Sequence, residues 1–579
     1  MRFHELHHPI TARPTAGRTT SILSWSGGGM PNISPRPSLD DLRIDGDTTL
    51  HAGTTRRRFL TWAGVAAGIA TVPALFTTDA ASAPPPRRGS DLFTLGVASG
   101  DPLPDGVVLW TRLAADPLAR GGAMGLLPVP VEWEIATDHG MRHVVARGVE
   151  VATPENGHSV HADVRGLRPA ADYFYRFRAG GSLSAIGRTR TAPSHGSRLS
   201  ALTFAFASCQ SWADGHYPAY ADMAAHAPDV VFHLGDYIYE KPIPVDGGRR
   251  KTAATPVSAH RECATLDDYR DRYALYKLDP HLQAAHRASP FITIFDDHEV
   301  DNNWAAEVPE DNQPIPEFLA RRAQAMRAWW ENTPVRVAQR PRPTPTADLY
   351  DLRAYRRFSY GDLVEFSVLD TRTFRSDQAN GDNDTAHNAA TADPRRTITG
   401  AAQEKWLLDG LAASRARWNV LAHQTTIADL ARRKNGERAV SMDGWSGYEA
   451  SRARILDGAR ERGVHNLVSI VGDIHRNVVS ELRSTYSRPS PTVGVELAGT
   501  SIASGADGED SDASDKQLKA ASPHIRFGNA QRGYVLNRLS ADRWEADYRV
   551  SDSIAAPDVS LHRRAQITIP SGRPDIDVL

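Results

Sequence analysis

Side chains able to hold a metal ion gather at four points in this chain, each just after a short apolar run. Phe206-Ala207 leads into Ser208-Cys209-Gln210, and Phe232-His233-Leu234 leads into Gly235-Asp236-Tyr237-Ile238-Tyr239. Phe295 leads into Asp296-Asp297-His298-Glu299 and on to Asp301-Asn302-Asn303, and Val471 leads into Gly472-Asp473-Ile474-His475. A single Gly-Asp after a strand is equally well a helix cap. Four such ends in one domain favour a dinuclear cation site, because chemistry in an open α/β sheet collects at the carboxyl ends of its strands. The donor types divide. The Cys209 thiolate and the Tyr239 phenolate are strong donors suited to ferric iron, whereas the carboxylates of Asp297 and Asp473 favour Ca2+, Mg2+ or Mn2+ over Zn2+. Arg372 and Arg375 follow a further strand end, Leu369-Asp370-Thr371, and have the fork geometry to clamp a phosphate. A surface ion pair is nearly as good a reading of Arg375. Asn302 and Asn303 either bind substrate or cap a helix, and the sequence leaves that open. No Ser or Thr stands in a nucleophile motif, so the chemistry needs no covalent enzyme intermediate.

These ends need buried strands beneath them. Residues 202–207, 230–234, 291–295, 363–369, 418–422 and 467–471 are apolar runs of strand length. Between them Leu319, Ala323, Met326 and Trp330 fall at helical spacing, and residues 403–411 also read as helix. Strands alternating with helices predict an α/β domain over 201–560, layered around one or two sheets. The upstream texture differs. Residues 131–136, 144–151, 159–164 and 173–179 are short strands separated by turn signals, which predicts a small all-β sandwich over 91–192. Residues 192–197 read as a linker, 505–516 as an acidic glycine-bearing loop and 561–579 as a C-terminal tail. Residues 534–550 return to strands. Trp212, Trp304, Trp329 and Trp330 are expected in the core. His233 is expected as a core strand residue, and His216, His226, His260, His281 and His286 in solvent.

At 579 residues the chain is too long for one core. Its formal charge of −2 gives no global pull toward nucleic acid or membrane, and no nucleic-acid-binding surface is evident. The two cysteines, Cys209 and Cys263, suggest a disulfide if the protein is exported, in competition with a ligand role for Cys209. Cys263 lies in a polar, charged segment and reads as a bystander thiol. Residues 1–83 read as a disordered N-terminus followed by a signal. Arg56-Arg57-Arg58-Phe59-Leu60 precedes an apolar stretch over 62–76 and then Ala81-Ser82-Ala83. Basic region, apolar core and small-residue cleavage pattern, in that order, predict a twin-arginine signal peptide. The partner is then the twin-arginine export machinery, and the destination is secreted or extracytoplasmic. The apolar core is too short, and too rich in Gly and Ala, for a membrane span. A monomer is expected.

Taken in order, the blocks resemble the calcineurin-like metallophosphatases, and within them the PhoD-like alkaline phosphatases and phosphodiesterases. The resemblance rests on residues 93–113, Ala207-Ser208-Cys209, Gly235-Asp236-Tyr237-Ile238-Tyr239, Asp296-Asp297-His298-Glu299, Leu369-Asp370-Thr371-Arg372 and Gly472-Asp473-Ile474-His475. It implies a β-sandwich ahead of a four-layer α/β/β/α catalytic domain, and a site using Fe3+ with Ca2+. It also implies that Asp236 bridges the two metals. Cys209, Tyr239 and His475 would hold iron, and Asp297 and Asp473 would hold calcium. Asp297 and Asp473 stand where the wider superfamily has Asn and His. His298 would face the phosphate and protonate the leaving group. His423 occupies a strand end where the superfamily has a metal-binding His, although PhoD-like chains need not have one there. The expected function is hydrolysis of phosphate mono- and diesters by a metal-activated hydroxide in an exported enzyme, with Arg372 and Asn302 binding substrate. A phospholipase D-like phosphodiesterase is the alternative, and an inactive secreted binding or scaffold protein the remote one.

Overall fold

The computed structural model describes residues 91–579, apart from residues 253, 312, 344–349 and 435. The disordered N-terminus and twin-arginine signal read from residues 1–83 lie outside the described residues.

The strand Val230–His233 is buried along its whole length. A Val-Val-Phe-His run has no polar face to offer water, so it belongs inside a sheet covered on both sides. It pairs in parallel with Ala201–Ala207 on one side and Phe291–Thr293 on the other. These three lie within a ten-stranded sheet. In a second, seven-stranded sheet, Val364–Val368, Trp418–Ala422, Leu467–Val471 and Gly494–Ala498 run parallel. The two sheets face each other across an aromatic core. Phe204 of the first sheet meets Phe366 of the second at 5.2 Å between ring centroids, and Trp544 meets Trp418 at 5.7 Å, both edge to face. Helices cover the outer faces. Pro218–His226, Pro280–Ala288 and Ile315–Asn332 contact strands of the first sheet. On the second, Leu407 and Leu411 of Ala401–Ala413, with Ile455 and Leu456 of Glu449–Glu461, pack onto Leu421 and Leu467. The result is the expected α/β/β/α layering.

The N-terminal sandwich is built differently from the expectation. Its outer sheet, with Val129–Ala136, Val144–Ala152 and Asp172–Ala179, stands alone. The facing strands Val97–Leu103, Gly106–Arg112 and Ser159–Arg165 instead continue the ten-stranded sheet, joined to it where Gly100 pairs with Phe291. Gly106–Arg112 shows why. Val107 and Leu109 face the sandwich core with Val131 and Tyr175, yet the alternate residues Val108 and Trp110 are buried too. A free-standing sandwich would leave that second face in water.

The stretch expected as a C-terminal tail also joins this sheet. Leu561–Pro570 pairs with Arg543–Ser551 and buries Ala565, Ile567 and Ile569, a period-two pattern that marks a strand. The expected loop over 505–516 gives way to a helix, Ala513–Ala521, because Asp512 caps it through the Asp515 N–H. Trp212, Trp304, Trp329, Trp330 and His233 are buried, as read from the sequence. His286, expected in solvent, is buried with Nε2 at 2.8 Å from the Tyr237 hydroxyl. Among the described residues no helix is long and apolar enough to cross a membrane.

One ion cluster makes stability pH-dependent. His387 sits with Nε2 at 2.7 Å from Asp429 and Nδ1 at 2.9 Å from Glu449. Burial lowers its pKa, but the bonds to Asp429 and Glu449 outweigh that and hold it at about 9. A histidine pKa raised on folding contributes stability fully below its unfolded value, near 6.5, and loses that contribution as pH rises through the folded value. The destabilisation by His387→Gln therefore shrinks by on the order of 3 kcal/mol between about pH 6 and about pH 10. Urea midpoints of both proteins at the two pH values measure it.

Candidate metal centre and active site

The four ligand-bearing stretches leave neighbouring strand ends and turn at once. Cys209, Asp236, Asn303, Asp473 and His475 all have left-handed backbones, with φ between 50° and 65°. Such conformations cost of order 1–3 kcal/mol each for residues with a side chain, and cluster where side chains must be aimed rather than relaxed. Two glycines let the turns meet. A Cβ on Gly235 would stand 2.4 Å from the Asp296 Cβ, and one on Gly472 would stand 2.1 Å from the Ser208 Oγ. Glu299 locks two turns together, accepting the N–H groups of Asp236 at 3.0 Å, Tyr237 at 2.6 Å and Asp296 at 2.8 Å.

This geometry brings the candidate donors into three overlapping groups, with ligand atoms within 4.8 Å of one another in each. Cys209, Asp236 and His475 form the first, Asp236, Asp297 and His298 the second, and Asp296, Asp297 and Asp473 the third. Asp236 is common to the first two. Tyr239 joins the first, its oxygen 2.9 Å from Asp236 Oδ2 and 3.2 Å from His475 Nε2. Asp296 Oδ2 and Asp297 Oδ1 are buried without a hydrogen-bond partner. Burial, then repulsion from Asp297, pushes Asp236 well above the usual carboxylate range. Burial and then Asp443 raise Asp473 to about 6. Asp297 is buried as well, but Arg372 and His298 outweigh that and hold it below the usual range. Buried carboxylates with unpaired oxygens are costly alone and are satisfied by cations. The donor set thus fits a pair of metal ions, one beside sulfur and imidazole, the other among oxygens.

His298 lies at the edge of this cluster. Its Nδ1 is 2.7 Å from Glu240 Oε2, and its ring rests on Tyr239 with centroids 4.1 Å apart. Burial depresses its pKa, but Glu240, then Asp297 and Asp236, outweigh burial and hold it well above 6.5. Glu240 thus fixes the ring through Nδ1. Glu240 had no assigned part in the sequence reading. Its partner lies on another loop, so spacing could not reveal the pair.

Arg372, expected to bind substrate, faces the protein instead. It is fully buried, with Nε at 2.6 Å from Asp296 and its two Nη atoms at 2.7 and 2.9 Å from Asp443. Three of its N–H groups are taken by buried protein carboxylates, which fits a brace better than the expected phosphate clamp. It braces the ligand-bearing turn from behind. Arg375 is equally buried, bound to Asp443 at 2.6 Å, and forms no surface pair. Asp443 was missed because no apolar run announces the segment Ser441-Met442-Asp443-Gly444. Asn302 is half-buried, gives its Nδ2 to Glu310 and its N–H to Glu240 at 3.2 Å. Asn303 donates its N–H to Asp297 at 2.8 Å and its Nδ2 to Asp382 at 2.6 Å. His423 is buried with Nε2 at 3.1 Å from the Ser469 hydroxyl, outside the three groups. Both cysteines are free, and Cys263 is buried in the core rather than lying in a solvated polar segment.

Residues 204–548 match the PhoD-like phosphatase family, and residues 79–193 match the N-terminal domain of PhoD-like phosphatases. The chain is 43% identical over 517 residues to alkaline phosphatase D of Bacillus subtilis (strain 168), a span of 88% of this chain and 86% of that one. A solved structure described as that of PhoD aligns with a TM-score of 0.80 at 42% identity, over 85% of this chain and 93% of that chain. The two family matches and the 43% identity cover most of the chain, so this chain belongs to the PhoD-like phosphatases, metal-dependent hydrolases of phosphoric esters.

Proposed function

We propose that this phosphoesterase is exported and works with Fe3+ and Ca2+ on phosphate diesters as well as monoesters. The observation that carries the metal reading is a chain of shared carboxylates: Asp236 links the thiol–imidazole group, with the Tyr239 phenol beside it, to Asp297 and His298, and Asp297 in turn belongs to the all-oxygen group with Asp296 and Asp473. Cys209, Tyr239 and His475 would hold iron, Asp297 and Asp473 would hold calcium, and Asp236 would serve both. When bound, the cations supply Lewis acidity toward the phosphoryl group and toward water. The chain's own residues do the rest. Arg372 and Glu299 fix the carboxylates and turns. Glu240 orients His298 so that its remaining N–H gives a proton to the departing alkoxide. Export rests on the twin-arginine pattern in residues 56–83.

Metal analysis of protein purified from its native export route, with rates on a panel of monoesters, diesters and a phospholipid, tests this reading. Iron and calcium with turnover on both ester classes are expected. Zinc at both positions, or hydrolysis of monoesters alone, would overturn it. His298→Asn should lower kcat on an alkyl phosphate by about 10²-fold or more with little change in KM. The loss should be far smaller on p-nitrophenyl phosphate, whose leaving group needs no proton. Equal losses on both substrates would remove His298 from the acid role.

A further inference from the structure

Beside the first donor group runs a loop, residues 500–507, that the assignments above do not use. Its backbone lies along the Cys209 turn. The Ile502 N–H donates to the Ser208 carbonyl at 3.0 Å, and the Ala503 and Ser504 N–H groups donate to the Cys209 carbonyl at 3.3 and 3.2 Å. The Ser501 hydroxyl closes the loop on itself, donating to the Ser504 carbonyl at 2.8 Å. Gly505 is held from both sides, its N–H on Asp214 at 2.9 Å and its carbonyl under Arg532 at 3.2 Å. Ser504 is therefore clamped, and it is 1% exposed.

The direction of its hydroxyl follows from its partners. The Ser504 oxygen accepts the Ser211 N–H at 3.0 Å and stands 2.6 Å from the Tyr239 oxygen. An amide can only donate, so the serine uses a lone pair there and its single hydrogen is free to point at Tyr239. The other groups within reach of the Tyr239 oxygen, Asp236 and His475, are themselves candidate ligands. A cation held by this group would take the place of the tyrosine hydrogen. Ser504 is then the remaining donor to that oxygen.

We propose that Ser504 is a positioning residue for Tyr239, donating a hydrogen bond that orients the phenol oxygen and tempers its electron donation to a bound ferric ion. This rests on the reading of Tyr239 as an iron ligand. Groups that hold a metal ligand from behind set its orientation and basicity, and their loss lowers metal affinity by about 10–100-fold. A phenolate relieved of a hydrogen bond is a stronger donor, so its charge-transfer band moves to lower energy.

The test uses the full exported protein as wild type, Ser504→Ala and Ser501→Ala. Visible spectra, iron content and Fe3+ affinity by chelator competition are recorded for each. Loss of the orienting bond should weaken Fe3+ binding about tenfold in Ser504→Ala in spite of the stronger donor, and the iron-loaded variant should show its band at longer wavelength. Ser501→Ala disturbs the same loop without touching Tyr239, and its band should stay in place. An unmoved band in iron-loaded Ser504→Ala overturns the proposal, and so does an equal shift in Ser501→Ala. An iron-free, colourless wild type instead removes the iron reading, and the three proteins are then titrated with Zn2+ alone. A weaker affinity confined to Ser504→Ala keeps the positioning role, and equal affinities reject it.

Discussion

Asp236→Asn abolishes turnover, with a loss of about 10³-fold or more, and leaves the metal-free fold as stable as before. The scale is at least that of removing a single preorganised group that stabilises transition-state charge. Asparagine is the informative replacement because it keeps the shape and, like aspartate, tolerates the φ of 54° at this position. What it removes is the negative charge common to the first two donor groups. Without metal, that charge is buried and repelled by Asp297, so its loss relieves the fold. Activity and stability therefore part company. Thermal midpoints in chelator should be equal or slightly higher in the variant, while the stabilisation gained on adding metal should shrink sharply. Near wild-type turnover at full metal content would place the chemistry elsewhere.

Arg372→Met acts on the fold first. Removing one member of a buried ion cluster leaves the others uncompensated, at a cost of about 3–5 kcal/mol. Here Asp296 would lose its fully buried partner, and Asp443 would keep only Arg375 of its two. Cations bound near Asp296 would offset part of the loss, so the destabilisation should be larger in chelator than with metal. A phosphate clamp would behave in the opposite way, raising KM with an unchanged unfolding midpoint. Chemical unfolding with and without chelator, beside a substrate saturation curve, separates the two.

The strands beneath the site were legible because their burial leaves an unbroken apolar run, and the donors were legible because they follow those runs without delay. Cys209, Asp236, Asp297 and Asp473 needed only that proximity. Glu240, Asp443 and the burial of Arg372 were not legible. Each depends on a partner brought from another loop, and local pattern is blind to such pairs. A charged side chain with a fork reads as a binding group until the carboxylates opposite it are known. The same limit applied to the sandwich. The alternation in residues 159–164 marks a strand but not which sheet it joins. The C-terminal strand is legible in the sequence, since Ala565, Ile567 and Ile569 alternate openly.

The pairing of Gly100 with Phe291 has a consequence for how the molecule comes apart. A cut near residue 192 looks harmless on a diagram of two modules. In the folded chain it would strip three strands from one sheet and turn Phe291–Thr293 into a raw border of unpaired amides and carbonyls. Such borders recruit one another between molecules. The leading segment thus acts as a selvedge, keeping the main sheet from fraying into its neighbours. A truncated chain should be lost to precipitation before its chemistry can be judged.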